Sequence, residues 1–279
     1  PDKPSRVRAR PSFWQPAREG AGASCVSRAN NPVRDYREPA LRGTRTNLDD
    51  AGIARAGAGM DAGEALEPAT FEAGDLTVAA FGLTDRSAAF AATDSRPGTA
   101  FARLDPSAAA TRRLIADALD RAAESDPDLI VASLHWGANW VTEPRAVHER
   151  FARSLVEWGV DVVHGHSAHV LQGVEVYDGR PIVYDAGDFV DDYVSYRDRE
   201  GVRNKRSALF ELVVRDGELD ALDVVPTAVA DEAATLADDG VARWVRETVA
   251  ARSAPYDTPV DGLDGDRPDG RLTVPLGDG

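Results

Sequence analysis

Two apolar runs in this chain each end in histidine. Asp128-Leu-Ile-Val-Ala-Ser-Leu134 leads into His135, and Val160-Asp-Val-Val163 leads into His164-Gly-His166-Ser-Ala-His169. Between them Val147, Phe151, Leu155 and Trp158 recur at helical spacing after Glu143-Pro144, and Gly159 ends the run. Buried strands alternating with an amphipathic helix restrict the chain to an α/β fold. In open folds of that class, ligands bind beyond the carboxyl ends of the strands. Four of the five histidines therefore fall where such a fold builds its site. Neutral imidazole is the commonest metal ligand, so the pattern points to a metal-dependent hydrolase or a descendant of one.

The remaining elements fit the same class. A helix is expected from Leu41 to Ala51, closed by Gly52, followed by a short strand over Ile53–Ala58. Leu76–Leu83 reads as a buried strand, and residues 86–104 as a loop punctuated by Pro97-Gly98. Asp105-Pro106-Ser107 is placed to cap a helix running to Glu124. Two antiparallel hairpins are expected around Asp178-Gly179 and Asp216-Gly217. A last helix spans Asp239 to Ala251. Three regions result: a divergent, loosely ordered segment 1–23, one domain over 24–253, and a flexible acidic tail over 254–279 rich in Asp, Gly and Pro.

Composition excludes several function classes. The net charge is −15, which argues against nucleic acid as a partner. Only Lys3 and Lys205 are lysines; the other basic residues are arginines. An acid excess of this size is tolerated when salt screens it, the Debye length falling to about 3 Å at 1 M. The expectation is a protein adapted to a high-salt environment, although a GC-rich genome would also favour arginine. The single Cys25 rules out an internal disulfide. No run of about 18 apolar residues is present to span a bilayer. The chain opens on Pro1 with no leader-like pattern, which leaves room for a preceding segment carrying a leader or anchor.

His166 and His169, three apart behind Gly165, can aim two imidazoles at one point, and His135 ends the neighbouring strand pattern. His164 lies on the strand itself and suits a packed or supporting position, whereas His148 is expected to face solvent from its helix. Asn30-Asn31-Pro32-Val-Arg-Asp35 is a polar loop. It is either a plain turn or a source of ligands, with Asn31 binding through its carbonyl and Asp35 ligating or orienting. After Tyr184 come Asp185, Asp188, Asp191 and Asp192. Most of these read as a solvated acidic loop, with Asp188, directly after Gly187, the exception. Trp136 would either wall off the site or fill core.

Together these residues resemble the capsule synthesis protein CapA family, also called the poly-γ-glutamate biosynthesis family, within the calcineurin-like metallophosphoesterase superfamily. The motifs that carry the resemblance are Ala29-Asn-Asn31-Pro-Val-Arg-Asp35-Tyr, Asp50–Gly59, Ser133-Leu-His-Trp-Gly137, Gly165–Gly173 and Pro181–Phe189. They cover about residues 24–225. The resemblance implies a metallophosphoesterase-like β-sandwich flanked by helices, with one or two divalent ions clamping a phosphoryl oxygen. It implies Asn31, His135, His166 and His169 as metal ligands, with Asp35 and His166 as catalytic residues. Manganese, iron or zinc suits such mixed ligands. The implied partners are a polymer or phosphoester substrate and a capsule-synthesis complex at the membrane.

Two departures are visible. Pro32 stands where the family's loop carries a histidine, and proline has no side-chain proton to give. The family's opening strand ending in Gly-Asp, with its further ligands, has no counterpart before residue 24. Two readings therefore stay open. One is a metal-dependent phosphoesterase-type enzyme of capsule or poly-γ-glutamate biosynthesis; the other is a degenerate, truncated relative acting as a binding or scaffold protein.

Overall fold

A computed structural model describes residues 20, 22–30, 37–189, 201–230 and 233–277. It has the mixed α/β composition expected from the sequence. Where the sequence suggested one domain over 24–253, the chain divides into two compact units. One comprises residues 1–135 with 157–160, and the other 136–156 with 161–279.

The first unit is built around β5 (Leu76–Thr84), whose last seven residues are all buried. A continuous apolar run of this kind suits a strand covered on both faces. β5 pairs in parallel with β7 (Leu129–His135), in register from Val78↔Leu129 to Thr84↔His135. The connection contains α3 (Ala109–Ala123), which buries Thr111, Ile115, Ala118 and Ala122 along one face. The expected cap differs in detail. Asp105 Oδ1 accepts from Ser107 N and Oγ at 3.0 and 2.6 Å, forming a turn ahead of the helix, and Ala108 occupies the cap position. β4 (Ala69–Ala73) flanks β5 antiparallel.

Upstream, β1 (Cys25–Ser27) pairs in parallel with β2 (Ala54–Ala56). They are joined through α1 (Arg37–Asp50), longer than the expected Leu41–Ala51. Gly52, at φ 64°, ends this helix with its N–H on Asp49 O at 3.0 Å. Leu48, Ala51 and Ile53 form one buried cluster, and Leu41 with Ala58 another, lined by Met60. β3 (Ala58–Gly59) and β6 (Gly98–Thr99) make a short antiparallel pair. α2 (Ala62–Leu66) starts at Asp61, whose side chain accepts from Glu64 N.

The second unit contains α4 (Ala146–Glu157), β8 (Val162–His166) and the hairpin β9 (Val174–Tyr177)–β10 (Arg180–Val183). β10 pairs in parallel with β8 and antiparallel with β9. Asp178 and Gly179, at φ 49° and 70°, make the tight turn that this dipeptide favours. A second hairpin, β11 (Arg206–Arg215) and β12 (Glu218–Ala230), turns at Asp216-Gly217. β12 also pairs with β13 (Ala233–Leu236) and β14 (Leu272–Pro275). α5 (Asp239–Ser253) contributes Val245 and Val249 to a core shared with Leu171, Ala208, Val224 and Leu272.

Two expectations are corrected here. The stretch after residue 253 is not a loose tail: Leu272, Val274 and Leu276 alternate inward, all at most 3% exposed, and Asp261 bridges Thr273. Its period-2 pattern completes a sheet despite the Asp- and Gly-rich chain leading to it. His148 does not face solvent either. It is 4% exposed, because α4 buries His148, Phe151, Ala152, Leu155 and Val156, a stripe turned one residue from the expected one.

Candidate functional site

The second unit concentrates its unusual chemistry at the end of β8. Gly165 allows β8 and the chain after β10 to come close. A Cβ there would stand 2.1 Å from Tyr184 O and 2.7 Å from Trp136 Nε1, so no side chain fits. The indole uses that approach: Trp136 Nε1 donates to Tyr184 O at 2.8 Å, and Trp136 N donates to His166 O at 3.0 Å. Trp136 is 2% exposed and stacks on His148, with ring centroids 5.0 Å apart. It is a core residue that fixes the loop's root.

Beyond β8 the chain enters conformations that L-residues avoid. Ser167 has φ 125° and His169 φ 61°, and Trp140, whose ring stacks on that of His169 at 5.3 Å, has φ 66°. Such residues each cost about 1–3 kcal/mol and persist only where surrounding bonds over-determine them. Those bonds are present. Trp140 N donates to Ala168 O at 2.8 Å. Asp185, 1% exposed, accepts from Ala168 N at 2.6 Å through Oδ2 and from Gly187 N at 3.0 Å through Oδ1. One buried carboxylate thus ties the histidine loop to the turn after β10. Burial pushes this carboxyl up to about 7, while the two N–H donors and His169 act the other way.

The turn held by Asp185 presents Asp188. Its Oδ1 lies 2.8 Å from His169 Nδ1, and its Oδ2 is buried with no hydrogen-bond partner. A carboxylate on one ring nitrogen fixes the tautomer and leaves Nε2 with the lone pair, an arrangement that supports histidines ligating metals. His164 and His166 lie with ring centroids 5.7 Å apart. Burial lowers the pKa of His164, in keeping with a neutral, packed ring.

The sequence-expected residues distribute as follows. His166 and His169 share the loop of the second unit, and His169 is joined to Asp188. His135 closes β7 in the first unit, 7% exposed, its carbonyl accepting from Thr84 Oγ1 at 2.8 Å. Asn31, Pro32, Asp35, Asp191 and Asp192 lie outside the described residues. Among the described residues, no three His, Cys, Asp or Glu side chains are gathered as a group that could hold a metal ion. The donor chemistry of the His169–Asp188 pair suits a metal; a complete ligand set is not formed by these residues alone. Asp185 was missed by the sequence reading, which placed it in a solvated loop. The signal available was its position directly after Pro181-Ile-Val-Tyr184, a run that is buried throughout.

Comparison with known proteins bears on this site. Residues 1–193 match the family model described as bacterial capsule synthesis protein PGA_cap. A probable polyglutamine synthesis accessory protein of Mycobacterium tuberculosis is 34% identical, over 79% of this chain and 60% of its own length. The capsule biosynthesis protein CapA of Bacillus anthracis is 31% identical, over 76% of this chain and 49% of its own. The chain thus spans about half to three-fifths of these relatives. A hypothetical protein from Thermus thermophilus, known by crystallography, aligns at 14% identity and a TM-score of 0.39 over 77% of this chain and 91% of its own, too loose a likeness to carry an argument. The matched span includes the histidine loop, Asp185 and Asp188, and by it the chain belongs to the bacterial capsule synthesis protein family.

Proposed function

We propose that this protein acts in the biosynthesis of a capsular or poly-γ-glutamate polymer through a divalent-metal site of the phosphoesterase type. The observation that supports this most is the His169 Nδ1–Asp188 contact of 2.8 Å on a strained loop pinned by buried Asp185. A loop with no chemical task would not need backbone strain, a buried carboxylate and a carboxylate-oriented imidazole together.

In this reading His169 presents Nε2 to the ion, His166 stands beside it, and Asp188 holds the His169 tautomer. The resemblance adds Asn31 and His135 as ligands and Asp35 as an orienting carboxylate. A bound divalent ion would supply Lewis acidity toward a phosphoryl oxygen. Asp185 and Trp136 hold the loop's geometry. The chain itself contributes no imidazole at position 32, so proton donation to a leaving group would fall to another residue. The acid excess of the chain suits work in a high-salt environment, and no described helix is long and apolar enough to cross a membrane.

A second reading is favoured by two observations, Pro32 and the absence of a three-residue metal group among the described residues. In it the protein keeps the loop as scaffolding and binds polymer or partner without chemistry. Hydrolysis assays separate the two. Protein stripped with chelator and reloaded with manganese is offered chromogenic phosphomonoesters and phosphodiesters. Turnover that depends on metal and is lost in His166→Ala supports the first reading. Metal-loaded, folded protein with no turnover supports the second.

A further inference from the structure

The first unit holds a pocket unlike the rest of this acidic molecule. It is lined by Arg28, Arg45, Arg55 and Glu64 among apolar groups from α1 and β3, and it opens to solvent. Three arginines and one carboxylate thus contribute to the lining. Glu64 is already held: its Oε1 lies 2.7 Å from Arg45 Nη1 and 3.3 Å from Arg55 Nη1, and its Oε2 accepts from Met60 N at 2.9 Å. Arg55 Nε also reaches Asp49 at 3.0 Å.

Arg28 is different. Its backbone is fixed, N donating to Ala56 O at 2.7 Å, and the side chain is half-buried. Burial pushes its guanidinium down to about 10, and the Arg55 charge pushes the same way. Among the described residues, no carboxylate forms an ion pair with it. A half-buried cation beside a second cation is an unfavourable arrangement in an isolated chain, where a partner usually neutralises such a group. The bland alternative is an arginine that merely waits at a solvent gap. Against that stands the carboxylate cradle alongside it. Arg45, Arg55 and the Met60 amide already demonstrate oxyanion geometry on Glu64, and planar guanidinium forks match carboxylate and phosphate.

We propose that Arg28, with Arg45 and Arg55, forms a binding site for a small oxyanion group, a carboxylate or a phosphate carried by a ligand. The site lies wholly within residues 28–64 and is separate from the histidine loop, so it does not rest on the metal reading. The enclosed room is about 10 Å³, no more than a water molecule needs, so a ligand's anionic group would sit at the mouth of the pocket. A carboxylate from a glutamyl polymer and a phosphate from a phosphoester are the two sources to be separated.

The test is calorimetric titration of the full chain, at constant ionic strength, with inorganic phosphate and with a short γ-linked glutamate oligomer. Saturable binding of one or both is expected, the tighter ligand identifying the source. Arg28→Met, which keeps the side chain's length and apolar stem, is expected to weaken binding by about 10- to 100-fold, as for a lost charge-assisted bond. Arg28→Lys, keeping charge and losing the fork, is expected to fall between, with folding of each variant checked by circular dichroism. The titrations use chelator-treated protein, in which the histidine loop has no ion to hold phosphate. No saturable binding of either probe overturns the proposal. So does binding unchanged in Arg28→Met.

Discussion

The histidine loop of the second unit and the arginine pocket of the first treat buried charge in opposite ways. At the loop, Asp185 is satisfied by two backbone N–H donors and Asp188 meets an imidazole through Oδ1 alone, so these carboxylates hold a strained backbone. In the pocket, Arg28 is left beside Arg55 with nothing among the described residues to balance it. The lesson is that a satisfied buried network fixes geometry, whereas an unbalanced buried charge signals a ligand that comes and goes. Removing a group from the first should therefore cost stability, and removing one from the second should cost binding.

The comparison can be broken most decisively at Gly165. Gly165→Ala places a Cβ against Tyr184 O, and stability measured by urea denaturation is expected to fall by about 3 kcal/mol. A variant as stable as the parent would show the loop is not locked as described. Leu272→Ala, in the strand that follows the Asp-rich stretch, is expected to lose about 2–5 kcal/mol as a fully buried leucine does. A negligible loss would return that segment to the loose tail read from composition. Next comes Asp185→Asn, which keeps one acceptor and leaves one buried N–H unmatched. A loss of about 1–3 kcal/mol is expected from the same denaturant curves. Arg28→Met should run the other way, with an unfolding free energy equal to or slightly above the parent's in anion-free buffer. A marked loss there would mean the arginine is a structural partner after all. Finally, melting temperature is expected to rise between dilute buffer and molar sodium chloride, because screening relieves the repulsion of a −15 chain. A flat profile would contradict the high-salt reading.

How much of this was legible beforehand depends on what kind of signal each feature leaves. β5, β7 and the two hairpins follow from apolar runs and Asp-Gly turns, which are local and strong. The histidine loop was legible because Gly165 sits between an apolar run and two imidazoles. His148 was misplaced by one helical position: the stripe through Val147 and Trp158 looks more apolar than the one actually buried. Stacking on Trp136 and the approach of Gly137 make that ring a core residue, so His148→Ala is expected to lower stability. Asp185 could not be separated from Asp188, Asp191 and Asp192 by sequence, because which carboxylate turns inward depends on backbone donors at Ala168 and Gly187. The β14 signal, Leu272-Thr-Val274-Pro-Leu276, was present and was hidden by its neighbours' composition. The arginine pocket was invisible because Arg28 follows β1, Arg45 lies on α1 and Arg55 on β2, and no spacing rule joins them.

The central claim is that the histidine loop holds a divalent ion. Elemental analysis of the full chain, purified in high salt without chelator, tests it directly against His166→Ala, His169→Ala and Arg28→Met. The account predicts one or two ions per parent chain, strong depletion in both histidine variants, and parental content in Arg28→Met. Folded parent protein without metal, or equal metal in all four proteins, would contradict it.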